Sequence, residues 1–456
     1  MHYFPLFLLS INIVIITISI FTENVAYALM SGIASIFLLR VARAMRTDSI
    51  LALLKPDILL FTAFVIYGIP PAMDVATGYN SLQLDRTAFE IYLFLMFIFT
   101  LGVMLGSRGL EKMPPPSLEA KPKIASERAY IPFALVLMIM GAGLYFAFVI
   151  QDFGGIGNLF AASRAEYYRE QEEDGVFTAG LNFLRFGWLF LFTIHLAGPN
   201  PRVKLIYHMV GAALFCGFFL LMGERGIWVK LVVGMFFIYA YYFGFSMRWF
   251  FLICVLSILA LQTFSKVRHV LDRPDENLAQ AMERFSPEWF NLAGGEAGAH
   301  YTIANDILLD FTPDQLRYGK TYLDGFVNLV PAAIWPDRAR YVTTPNVEYM
   351  MKYRYWLFKS GTFKAYSFVI EAFTNFWYLG AILVGFLMGW LCKWLYKTTM
   401  LDNPSALNMA LYTSTFGVLL LIVRASFASA VKSLFLSSVL PFLFLMFCIM
   451  LTRSSK

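Results

Sequence analysis

A carboxylate inside an apolar segment is the first feature of this chain that could do chemistry. Ser367-Phe-Val-Ile-Glu371-Ala-Phe-Thr-Asn375 sets Ser367, Glu371, Thr374 and Tyr378 at i, i+4, i+7 and i+11, with Asn375 beside them. At the period of a helix these residues form one polar stripe. The other faces are Phe, Val, Ile, Ala and Trp. An ionisable group in a membrane helix marks a functional site by default, because taking charge out of water is costly. Glu371 could take a proton from a hydroxyl; the other reading is a structural pair with a buried Arg or Lys. His300, in Gly294-Gly-Glu-Ala-Gly-Ala-His300, is a second candidate base for a sugar hydroxyl near neutral pH, against a plain surface histidine.

The candidate cations come next. Gly223-Glu-Arg225-Gly226 interrupts an almost unbroken apolar run from Leu205 to Met247, which puts Arg225 near headgroup depth. There it could clamp a lipid-linked phosphate, or snorkel and pair with an acid. Arg424 ends another apolar run and is followed by Ala-Ser-Phe-Ala-Ser and Lys432. Ser163-Arg164-Ala-Glu-Tyr-Tyr168-Arg169 puts Arg164 and Tyr168 on one helical face. A guanidinium forks onto phosphate oxygens, and an aromatic ring packs on a pyranose. The other reading is an amphipathic interfacial helix with solvated charges.

Several chemistries find no support. There is no His-Glu-x-x-His, no Cys/His cluster, no Asp-x-Asp and no phosphate loop. No metal or other cofactor is expected, and a metal-dependent nucleotide-sugar transferase is disfavoured. A lipid diphosphate donor stays open, because Arg can neutralise a diphosphate leaving group without a metal. The four cysteines (Cys216, Cys254, Cys392, Cys448) all lie in apolar segments and read as packing residues.

The elements that position these groups are membrane helices. Of 456 residues, 59% are hydrophobic and 14% charged, against roughly 25% charged in a soluble domain. The expected fold class is all-α: a polytopic integral membrane protein of about 12 helices. The spans fall near 4–21, 25–40, 57–73, 88–107, 130–150, 181–197, 205–222, 226–246, 249–265, 366–392, 405–423 and 433–451. The first lacks a charged leader and reads as a retained span. The chain divides into 1–265 (helices 1–9, with an outer loop at 151–180), a large loop at 266–365, and 366–456 (helices 10–12).

Basic residues follow every even-numbered span: Arg40, Arg43, Arg46 and Lys55; Arg108 and Lys112; Arg202 and Lys204; Arg248; Lys393 and Lys397. The positive-inside rule puts these, and both termini, in the cytoplasm. The longer mixed-charge segments then share the extracytoplasmic side, with a short one at Arg424–Lys432. The net charge of +6 comes from span ends and is no nucleic-acid signal.

Gly319-Lys-Thr-Tyr322-Leu, Val330-Pro331, Trp335-Pro-Asp-Arg338 and Glu371-Ala-Phe-Thr-Asn375-Phe-Trp-Tyr-Leu-Gly380, with Gly385 and Gly389, resemble the Wzy-type oligosaccharide repeat-unit polymerases. The Glu-x-x-x-Asn-Phe-x-x-x-Gly arrangement entering a span after a long loop is the most specific part. The resemblance implies an inner-membrane glycosyltransferase working on the periplasmic face. It would pass a growing glycan from undecaprenyl diphosphate to a new lipid-linked repeat unit. Arg225, Arg268, Arg169 and Arg424 would meet the diphosphates. Arg164, Tyr168, Arg338 and Asn375 would also contact substrate, and Glu371 or His300 would serve as base. Partners would be the lipid-linked donor and acceptor, membrane lipid, a chain-length regulator and a flippase. An O-antigen ligase is the nearest rival; a flippase or a non-catalytic export scaffold belongs to another class.

Overall fold

The computed structural model describes residues 25–45, 50–78, 80–116, 127–161, 175–221, 226–246, 296–330, 344–356 and 366–454, with a few single positions between. Among these, nine helices are long and apolar enough to cross a membrane, and no strand occurs. The protein is a multi-pass membrane protein. The chain order is α1 (Val25–Met45), α2 (Pro56–Ala76), α3 (Arg86–Gly106), α4 (Ile131–Phe153), α5 (Gly175–Ala197), α6 (Pro201–Leu221) and α7 (Gly226–Phe243). Then follow α8 (Glu296–Asp310), α9 (Lys320–Val327), α10 (Pro345–Tyr353), α11 (Phe368–Tyr396), α12 (Ala406–Leu421), α13 (Phe427–Leu434) and α14 (Leu440–Ser454). The expected span at 249–265 lies outside the described residues, as does that at 4–21 apart from Asn12 and Ile13.

In the described part of 266–365, α8, α9 and α10 are helices, and α8 packs on α2 and α3. The Arg424–Lys432 segment is itself largely helical. The Ser426 hydroxyl caps a helix that starts at Phe427, and Lys432 lies within it. A cap hydroxyl satisfies an orphan N–H of the first turn, so the helix starts as soon as the chain turns back. The apolar run then continues through a π-helical turn at Phe435–Val439 into α14.

The closest helix pair is α3 with α11, which run parallel. Gly102 and Gly106 face Ile382 and Phe386, and Gly385 and Gly389 face Phe99 and Val103. A Cβ on any of these glycines would collide with the facing carbonyl oxygen. In lipid, where apolar surface gives little drive for association, such close backbone contact is what holds helices together. A second tight pair is α4 with α5, where Gly141 and Gly180 meet in the same way. Buried side chains form one core around α1, α2, α3, α8 and α11 and another around α4, α5, α7 and α12. α12 touches both groups, through α2 on one side and α5 and α7 on the other.

At the end of the bundle opposite Glu371, the basic residues are not all solvated. Arg40 is 2% exposed and pairs with Asp57 at 2.6 Å and with Glu111. It also donates to the Ser107 carbonyl. Lys55 donates to the carbonyls of Leu110 and Met113, at 2.9 and 2.8 Å. These two cations therefore tie α1, α2 and the end of α3 together.

Candidate functional site

α11 is a broken helix. Phe376 (φ −140°, ψ 23°) and Trp377 (φ 58°, ψ −154°) leave helical geometry, so Phe368–Asn375 stands as a half-helix. A positive φ at Trp is strained and persists only where the surroundings over-determine it. Here the Trp377 ring packs between Phe373 and Phe311, with centroids 4.8 and 5.7 Å away. The break ends the predicted polar stripe. Ser367, Glu371, Thr374 and Asn375 are buried together, while Tyr378 turns to the rings of Phe94 and Phe373.

A broken helix frees carbonyls, and inside a membrane protein they need donors. The chain before α9 supplies them. Arg317 N–H donates to Thr374 O and Tyr318 N–H to Asn375 O, each at 3.1 Å. Gly319 N–H donates to Asn375 Oδ1 at 3.0 Å. Asn375 Nδ2 donates to Thr321 Oγ1 and to Glu371 O, both at 2.8 Å. Gly319 has φ +86°, and a Cβ there would lie 3.1 Å from the Phe376 ring. The two segments singled out by their residue types, Gly319–Tyr322 and Glu371–Asn375, are one physical unit.

Glu371 is fully buried. Its Oε2 accepts from the Phe427 N–H at 2.6 Å, the first N–H of α13. A helix N-terminus is electropositive, which suits a carboxylate. Its Oε1 has no hydrogen-bond partner among the described residues. One oxygen is thus anchored, and the other is buried with hydrogen-bonding capacity unused. Arg424, on the turn Ile422–Arg424 that follows α12, lies three residues before Phe427, and its guanidinium sits 5.8 Å from the Tyr67 ring centre.

His300, on α8, is not a surface loop histidine. It is fully buried among Tyr67, Tyr92 and Tyr301, with ring centroids 6.5, 5.8 and 4.8 Å away. Neither ring nitrogen has a hydrogen-bond partner among the described residues. Burial, with the nearby Arg424 guanidinium, pushes its imidazole down to about 3, so the ring is neutral near pH 7. Tyr92 OH pairs with Ser367 Oγ at 2.6 Å, one turn before Glu371. The structure therefore brings Glu371, His300, Asn375 and Arg424 to one end of the bundle. Arg164, Tyr168, Arg169, Arg225, Arg268 and Arg338 lie outside the described residues.

Beside Thr374 is a cavity of about 220 Å³, lined by Phe311, Gln315, Arg317, Glu348, Tyr349 and Tyr366, among others. Arg317 pairs with Glu348 at its wall. Tyr349 OH donates to Asp306 at 2.7 Å, and Arg354 holds the same oxygen. Rings beside fixed polar groups suit a single sugar, and the volume lies below the range of about 300–1,000 Å³ for drug-sized ligands.

Arg185 on α5 is fully buried but was not singled out from the sequence. It donates to Ser437 O at 3.3 Å, on the π-helical turn, while its Nε and Nη1 find no partner among the described residues. One turn earlier, Lys230 Nζ donates to Ser433 Oγ at 3.1 Å. An Arg inside a predicted span was signal enough to find it. No group of three or more potential metal ligands occurs among the described residues.

The profile of the family described as O-antigen polysaccharide polymerase Wzy matches residues 3–455, nearly the whole chain. The chain belongs to this family. Neither a curated protein nor a solved structure matches it. Wzy membership supports a glycan-polymerising activity on lipid-linked oligosaccharide repeat units. The half-helix and its clasp therefore lie in a Wzy chain at the motif on which the resemblance rested.

Proposed function

We propose that this protein is a glycosyltransferase of the bacterial inner membrane that polymerises undecaprenyl-diphosphate-linked repeat units on the periplasmic face, without a metal. The observation that carries the proposal is the buried Glu371 carboxylate, anchored through Oε2 with Oε1 left without a hydrogen bond, at the end of the bundle that also holds Arg424. The positive-inside reading of the basic span ends supports placing the Glu371 end on the periplasmic face.

In the proposed reaction, Glu371 Oε1 takes the proton from a sugar hydroxyl of the incoming repeat unit. The acceptor's hydroxyl oxygen bonds to the anomeric carbon of the growing glycan. The bond from this carbon to the diphosphate oxygen breaks, and undecaprenyl diphosphate leaves. Arg424 and the arginines of the outer segments, Arg225 among them, take up the diphosphate charge, as charge-assisted hydrogen bonds allow. Asn375 touches no substrate in this scheme: its amide is spent holding Gly319 and Thr321 against the half-helix. His300, neutral and with open nitrogens, is a second proton acceptor. The cavity at Tyr349 and Tyr366 seats one sugar of a substrate glycan.

The test is the glycan ladder of cells lacking this gene, complemented with wild type, Glu371→Gln or Arg424→Ala, with membrane levels measured by immunoblot. Single-repeat products in the deletion, polymer with wild type, and a loss of about 10²–10⁴-fold with Glu371→Gln are expected for a lost general base. Polymer persisting on the lipid carrier but missing from its final acceptor would make the protein a ligase. Repeat units stranded in the cytoplasm would make it a transporter.

A further inference from the structure

The far end of the α3–α11 pair carries a groove that the polymerase reading does not use. Because the helices run parallel, their side chains change character in the same direction. On α11, Phe386, Trp390 and Lys393 follow at i, i+4 and i+7, one stripe from apolar to cationic. On α3 and the turn after it, Leu105 is followed by Arg108 and Lys112. The glycine crossing sets these two graded stripes side by side, and a cavity of about 440 Å³ opens between them.

The floor of the groove is apolar and faces outward. Leu105 is 46% exposed, Phe386 44% and Trp390 48%. Its rim is cationic: Arg108, Lys112 and Lys393. Lys393 Nζ is steadied by the Arg108 carbonyl at 3.1 Å. One acid, Glu111, also lines the groove, but its charge is already engaged. Glu111 Oε2 accepts from Arg40 and from the Gly109 N–H, and Oε1 lies 3.8 Å from Arg43. The rim is therefore left net positive.

We infer that this groove binds an anionic phospholipid of the bilayer, with its phosphate on Arg108, Lys112 and Lys393 and an acyl chain along Trp390, Phe386 and Leu105. Charge complementarity and the order of the residues select this occupant. The cations stand at the helix ends, at headgroup depth, and the exposed apolar residues run from them toward the bilayer centre. Basic pockets between helix ends take anionic headgroups for the same reason. A zwitterionic phospholipid has the same chains, but its ammonium would meet the cationic rim.

The full-length protein, purified in mild detergent, is mixed with equal amounts of phosphatidylglycerol and phosphatidylethanolamine of matched chains. Bound lipid is counted by native mass spectrometry. Wild type is expected to favour phosphatidylglycerol at least fivefold. Arg108→Gln/Lys112→Gln/Lys393→Gln should bring the ratio near one, and Arg202→Gln/Lys204→Gln/Arg453→Gln, with the same charge removed elsewhere, should keep it. Equal binding by wild type, an unchanged ratio in the groove variant, or an equal loss in the control would each overturn the inference. If the triple variant does not run as a folded species on gel filtration, Arg108→Gln/Lys112→Gln decides, because it leaves Lys393 on the Arg108 carbonyl. A lowered ratio there supports the site and an unchanged one overturns it.

Discussion

Glu371 and His300 differ in how the protein holds them, and their expected behaviour differs accordingly. Glu371 has a helix N-terminus on one oxygen, whereas His300 has only aromatic walls around open nitrogens. The His300 imidazole, held down to about 3 by burial and by Arg424, would sit near 6.5 in the unfolded chain. Between those values the unfolded state binds a proton that the folded state does not. Stability from this group is therefore full above about pH 6.5 and is lost as pH falls toward 3. Thermal midpoints in detergent between pH 7 and 4.5 are expected to fall less steeply in His300→Gln than in wild type. Equal slopes would mean that the imidazole takes its proton in the folded state. The sequence showed His300 as a histidine near flexible glycines, and nothing local revealed the tyrosines that α2 and α3 bring around it.

At the scale of elements, the decisive feature is the break in α11 and the segment that clasps it. The apolar run 366–392 reads as an uninterrupted span, because Phe376 and Trp377 are ordinary residues for one. What breaks the helix is distant: Arg317, Tyr318 and Gly319 offer N–H groups to its last carbonyls and to Asn375. Gly319 must hold a left-handed backbone conformation to do so. Gly319→Ala should cost about 1–2 kcal/mol from that conformation, with a further push against Phe376. The expected outcome is a normal membrane level with polymer reduced at least fivefold on the glycan ladder. Wild-type polymer length and amount would show that the clasp is not needed for turnover. Arg185 belongs at this scale too: its meaning comes from the π-helical turn it meets, which lies about 250 residues away in sequence.

Across the whole molecule, one end of the bundle carries the half-satisfied Glu371 carboxylate and the other a buried ion pair. Arg40 and Asp57, both 2% exposed, join α1 to α2, and Glu111 links them to the end of α3. Removing one partner of a buried pair strands the other charge, at a cost of about 3–5 kcal/mol. Arg40→Leu is expected to lower the thermal midpoint and the membrane level sharply, and Arg40→Leu/Asp57→Asn should recover much of both. If the double variant is as unstable as the single, packing of the Arg40 stem matters more than the stranded charge.

The sequence by itself determined the solvent and the architecture. Apolar runs of span length fix helices, because a chain in lipid must satisfy its own backbone hydrogen bonds. It also marked Glu371, Asn375 and Arg424, since charge or polarity is costly in apolar surroundings, and His300, as a base that titrates near neutral pH. Their convergence was decided only by the tertiary structure. Which carbonyls are free, which oxygen of Glu371 is anchored and which arginine is buried are set by groups brought in from distant helices. The same holds for Arg40 and Lys55, which read as orientation signals and are buried ties. Hydrophobic period is a property of neighbours in sequence, whereas a hydrogen-bond partner is a property of neighbours in space.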